Sequence, residues 1–116
     1  MTIQDTVYAK LAAIGTSYPL AMPTQNAAKP CTVYQFITAR PLRYHAGNSH
    51  IRHRVQVSCW AETYAAAVTL ANSVIAAFDL NVTDFPLSTL ENSVDQKEVE
   101  TGLSRQILEF DIYEDK

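Results

Sequence analysis

Glycine is scarce in this chain: Gly15, Gly47 and Gly102 are the only three in 116 residues. Scattered that widely they cannot build a phosphate-cradling loop, and each reads as punctuation at a turn or a helix stop. Cysteine is scarcer. Cys31 and Cys59 lie far apart in sequence, each inside a segment that alternates like a strand. They read as small buried apolar residues, not as a metal pair or a disulfide. No apolar run approaches the roughly 20 residues that span a bilayer. The first residues lack the basic start and continuous apolar stretch of a secretory signal. The expectation is a protein folded in a cytoplasm, with no membrane among its partners.

A catalytic constellation is missing too. Ser58 and Ser104 fall within strand-like segments without a nucleophile elbow, and pairing either cysteine with a histidine would be arbitrary. Glu109 and Asp111 share one side of a strand, but alternating acids on an exposed strand more often protect an edge than catalyse. His45, His50 and His53 are not spaced i, i+4 on a helix and have no nearby carboxylate or cysteine in sequence. No enzyme activity, cofactor or metal is therefore expected.

What is present suits one soluble globular domain over residues 1–116, with a hydrophobic fraction of 47% and a charged fraction of 18%. The formal charge of −3 conceals a division. Residues 1–83 carry six basic and three acidic side chains, a balance of +3, whereas residues 84–116 carry three basic and nine acidic, a balance of −6. Such asymmetry suits head-to-tail contact between identical subunits.

The clearest pattern runs from Arg52 to Phe78. Val55, Val57, Cys59 and Ala61 alternate with Arg54, Gln56, Ser58 and Trp60, as a strand requires. The period then changes. Ala67, Leu70, Ala71, Val74, Ile75 and Phe78 recur at helical spacing, with Thr63 as N-cap after a short joint. Upstream, Ile3, Val7, Leu11 and Ile14 stripe a first helix, capped by Thr2 with Asp5 and stopped at Gly15. Pro19, Pro23 and Pro30 then allow at most a short edge strand around Tyr18 to Met22. A strand follows over Cys31 to Thr38, with Tyr34 and Phe36 either in the core or at a subunit contact.

From Ala39 to Ile51 a turn-rich arm leads into the next strand, and residues 40–54 contain no acid. Arg40, Arg43, Arg52 and Arg54 there are candidate contacts with a subunit or partner, together with Tyr34 and Trp60. Downstream, Leu90 to Glu98 reads as a polar strand turning at Thr101-Gly102 into Leu103 to Tyr113. In that last strand Leu108, Phe110 and Ile112 alternate with Glu109 and Asp111, which implies a wet acidic side. The order α-β-β-α-β-β predicts an α+β domain: a mostly antiparallel sheet of about four strands with two helices on one face. Tyr34, Phe36, Trp60 and Tyr113 would supply the apolar part of the other face.

The run Arg54-Val55-Gln56-Val57-Ser58-Cys59-Trp60-Ala61, followed by Thr63-Tyr64, Ala67, Leu70-Ala71 and Val74, resembles the middle of the tail-completion, or tail-terminator, proteins of long-tailed double-stranded DNA bacteriophages. Pro30 with Thr32-Val33-Tyr34-Gln35 resembles the family's proline-led strand. Thr101-Gly102-Leu103-Ser104-Arg105 and Leu108 to Tyr113 resemble its closing hairpin. The resemblance implies a structural virion protein: a homo-oligomer, commonly a hexameric ring, at the head-proximal end of the tail. It would stop tube polymerisation, touch the tail tube protein and a head–neck connector, and let phage DNA pass without sequence-specific binding. Glu109 and Asp111 are candidate channel-lining acids. Another neck ring component, or a small ligand-binding or regulatory α+β domain, is an alternative for the same residues.

Overall fold

The computed structural model describes residues 2–19, 30–43, 49–80, 85, 87–97 and 103–115. Helix α1 spans Ile3–Ile14 and strand β1 spans Thr16–Pro19. Strands β2 (Cys31–Arg43) and β3 (Ser49–Ala61) precede helix α2 (Tyr64–Phe78), and strands β4 (Leu87–Lys97) and β5 (Ser104–Asp115) complete the chain. They form one sheet in the order β1-β2-β3-β5-β4, antiparallel except for β1 against β2. Five strands thus replace the four expected. The extra one is the short edge strand allowed around Tyr18–Met22; it begins at Thr16, directly after α1, overlaps that stretch at Tyr18 and Pro19, and pairs parallel with Cys31–Tyr34. Residues 20–29, which hold most of the proline-rich connection, and His45, Gly47 and Thr101-Gly102 lie outside the described residues.

Both helix starts follow the side chains that cap them. Thr2 accepts from the Asp5 amide and Asp5 from the Thr2 amide, a reciprocal box that holds the Asp5 carboxyl below its ordinary range. Thr63 accepts from the Ala66 amide at 3.2 Å. At the end of α1, Gly15 has φ 172°. That is extended backbone open to any residue, so the helix stops because β1 begins, and not through a left-handed glycine cap. Asp79 accepts from the Leu90 amide at 2.9 Å, tying the end of α2 to β4.

The register sorts every strand residue onto one of two faces. Val55, Val57 and Cys59 of β3, Leu108, Phe110 and Ile112 of β5, and Ile3, Val7, Leu11, Ala71, Val74 and Phe78 of the helices make one buried cluster. Both helices therefore cover the same face, as expected. Phe78 sits between Phe110 and Phe85, with ring centroids 5.5 and 6.1 Å away. Tyr34 lies opposite Val57, and Phe36 opposite Val55. Both aromatics are thus on the helix side and do not supply the second face, a correction that the alternation could not provide because both sides of β2 carry apolar groups.

Length sets the remaining shape. The 13 residues of β3 reach about 43 Å as a strand, whereas the 15 residues of α2 cover about 22 Å. Since α2 doubles back over the Ala61 end, the Ser49 end of the sheet outruns its helical cover, and the molecule measures 51 × 23 × 23 Å. The basic stretch is therefore no loose arm: β2 stays paired through Arg43, opposite Ser49. Pro41 is tolerated there because β2 is an outer strand at that point among the described residues.

Phe78→Ala removes the ring on which the helix-to-sheet packing converges. The expected loss is about 3–5 kcal/mol of unfolding free energy, measurable by urea titration, and a loss under about 1 kcal/mol would contradict this packing.

Candidate functional site

The face without helices carries five rungs that cross β2, β3, β5 and β4, and beyond them Leu42–His50–Asp115 crosses β2, β3 and β5. From the Ala61 end the five are Cys31–Trp60–Arg105–Gln96, Val33–Ser58–Ile107–Val94, Gln35–Gln56–Glu109–Asn92, Thr38–Arg54–Asp111–Thr89 and Arg40–Arg52–Tyr113–Leu87. Side chains opposite one another on a rung stand close enough to interact. The two outer strands each carry an irregularity at the same level, between Phe36 and Thr38 and between Leu90 and Asn92. Each inserts one residue, Ile37 or Glu91, and so keeps the face in phase.

The first rung is organised by Arg105. Its guanidinium carbon lies 4.9 Å from the Trp60 ring centre, while its two terminal nitrogens donate to Gln96 and to Ser58, at 3.2 and 3.0 Å. One cation thus ties three strands together. The candidate Trp60 is consequently half-buried beneath an internal partner. Sequence reading missed Arg105. Its alternation with Glu109 and Asp111 places it on this face, but only the register supplies Trp60 and Gln96 as its neighbours.

Two rungs further, Glu109 accepts from the Asn92 side-chain amide at 3.0 Å and stays half-exposed. Asp111 differs. Its carboxylate lies 2.7 Å from Arg54 Nε, with the Asp111 side chain 7% and the Arg54 side chain 32% exposed. The N–H points off-axis from the near oxygen, so the contact rests on charge attraction more than on a well-aligned hydrogen bond. Two residues expected in separate roles, a partner contact and a channel acid, are one internal ion pair. The side expected to be wet and acidic is therefore largely matched, because Arg54 stands directly across from Asp111.

The fifth rung, Arg40–Arg52–Tyr113–Leu87, is of another kind. Arg40 stands directly opposite Arg52, and no described residue forms an ion pair with either. The side chain of Arg43 lies outside the described residues. On the helix side of the same end, buried His53 meets Glu114 at 3.0 Å and the edge of the Phe36 ring at 5.6 Å between centroids. Tyr34 is half-buried against Tyr8, 6.2 Å away between ring centroids, and burial first, then the Tyr8 and Asp5 charges, raises its phenol above the ordinary range. Cys59 is fully buried, and burial, with a smaller contribution from Cys31, pushes its thiol up to about 12.

The family model described as "Tail completion protein gp17" matches residues 7–115. A comparison with curated protein sequences gives no match. Among solved structures, a chain from "Virion of native gene transfer agent (GTA) particle" superposes with a TM-score of 0.70 at 17% identity, covering 98% of this chain and 95% of that one. At that identity the likeness concerns the fold alone.

The Arg54–Asp111 pair predicts an asymmetry. Arg54→Met strands a buried carboxylate and is expected to cost about 2–4 kcal/mol, whereas Asp111→Asn leaves a cation that can reach water and costs less. Equal losses in chemical denaturation would contradict the pair. Cys31 and Cys59, both buried, are expected to resist a thiol reagent at pH 8 in the folded protein and to react at once in denaturant.

Proposed function

The chain belongs to the tail completion protein gp17 family, and from that premise we propose that it closes the head-proximal end of a phage tail tube as a ring of identical subunits. It is a structural protein of the virion, and residues 1–116 act as one unit in the ring. The carrying observation is the family match, which spans nearly the whole chain. Six subunits is the number that the family resemblance implies.

A ring of this kind needs a heterologous contact that closes after a fixed rotation. A sheet with two different outer edges suits that requirement better than a self-complementary patch. One ring face would then match the last ring of the tube, while the other refuses a further tube ring and meets the head–neck connector. Free subunits would gather in the host cytoplasm and end in the virion at the tail's head-proximal end.

The channel has to pass phage DNA without holding it, and carboxylates facing the duplex repel phosphate. Glu109 is the better candidate, since its partner Asn92 is neutral. Asp111 remains a weaker one, because Arg54 matches its charge. A neck ring component other than the tail terminator is the second reading. It draws on the gene transfer agent likeness, whose description names a particle and not a position within it.

The test adds purified protein to tubes polymerised from isolated tail tube protein. The expected outcome is arrest of elongation with a ring at one tube end, visible by electron microscopy. Binding to DNA-filled heads without binding to tubes would move the protein to the neck. Within a resolved ring, Glu109 on the outer rim would remove it from the channel, and Glu109→Lys is otherwise expected to increase retention of duplex DNA.

A further inference from the structure

We propose that Arg40 and Arg52 of one copy grip Glu91 of the next, so that opposite edges of the sheet meet head to tail; this deepens the ring reading above and rests on it. Like charges placed directly across a strand pair repel. Arg40 and Arg52 are nonetheless opposite each other on the open face, Arg40 exposed and Arg52 half-exposed, with no ion-pair partner among the described residues. The neighbouring cation Arg54 is matched by Asp111, and His53 meets Glu114. Next to the matched Arg54–Asp111 rung, this unmatched cation pair is explained by a carboxylate brought from outside.

That carboxylate stands at the far edge of the same sheet. Glu91 occupies the irregularity of β4 and is exposed. Its carboxylate accepts from the Thr89 hydroxyl at 2.7 Å, and Thr89 belongs to the open face. A neutral hydroxyl leaves its charge unmatched. Asp95, the other described acid on β4, accepts from the Tyr64 hydroxyl on the helix side instead. The open face thus ends in unmatched positive charge towards β2 and unmatched negative charge towards β4. Two copies set edge to edge with their open faces continuous bring the two together, and repetition gives a directional, closable array.

Three variants test the contact: R40E/R52E, E91K and, as a control on the helix side, D95K. Sedimentation velocity across a concentration series, with thermal melts to verify folding, is expected to show self-association weakened about tenfold or more by each of the first two. D95K should leave it within about twofold. An equimolar mixture of R40E/R52E and E91K should recover assembly, since each restores opposite charges at the other's altered edge. If R40E/R52E does not fold, the neutral variant R40S/R52Q takes its place and should also weaken assembly.

Folded variants that associate like the unmodified chain would overturn the proposal. So would a mixture that does not recover, a D95K variant as impaired as E91K, or an unmodified chain that stays monomeric at every concentration. Loss of DNA retention with assembly intact would assign the arginines to nucleic acid and overturn it equally. Binding of the unmodified chain to tube ends is scored separately. Its absence defeats the terminator reading, whereas its presence with unaffected variants defeats only this contact.

Discussion

β3 is hydrogen-bonded on both sides along nearly all its length, to β2 from Ser49 to Trp60 and to β5 from His50 to Ala61. A strand held in that way cannot slip by one residue without moving Val55, Val57 and Cys59 out of the core and Arg54, Gln56 and Ser58 into it. The rest follows from this lock. The helices must lie over the apolar set, because α2 departs from Ala61 after only Glu62 and Thr63. The polar set, fixed in register, becomes an ordered surface and not a collection of loose side chains.

The order of that surface lies in its charges. A lone buried carboxylate costs several kcal/mol, and a cation across the strand offsets much of this. Arg54 supplies that for Asp111. Arg105 resolves the same problem by another route, using the Trp60 face and neutral oxygens from Ser58 and Gln96. Beside these partnered groups, the Arg40–Arg52 rung stands out as a pair of like charges with no ion-pair partner among the described residues.

Much of the architecture was legible in the chain because it rests on local chemistry. Thr2 with Asp5 and Thr63 announce helix starts, and the switch of period after Ala61 marks the passage from strand to helix. The alternation of Leu108, Phe110 and Ile112 identified the core side of β5 correctly. What escaped was set by partners distant in sequence. Whether Tyr34 faces the helices depends on its pairing with Val57, and whether Asp111 is wet depends on Arg54, 57 positions earlier. The continuation of β2 past Thr38 escaped for a similar reason: Pro41 and the turn residues beyond it imitate a loop, while pairing with β3 carries the ladder on to Arg43. The site was legible as a set of basic residues and acids, but not as matched and unmatched charges.

The sheet order has a consequence for synthesis. β5 follows the other four strands in sequence, yet it lies between β3 and β4. Until it emerges, β3 has one open flank, β4 has no strand beside it, and the cluster around Phe78 lacks Leu108, Phe110 and Ile112. Until then the nascent chain exposes the unpaired flank of β3 and an incomplete apolar face to other chains. Folding of the sheet therefore waits for β5: losing residues 104–115 would remove the middle of the sheet, not its margin.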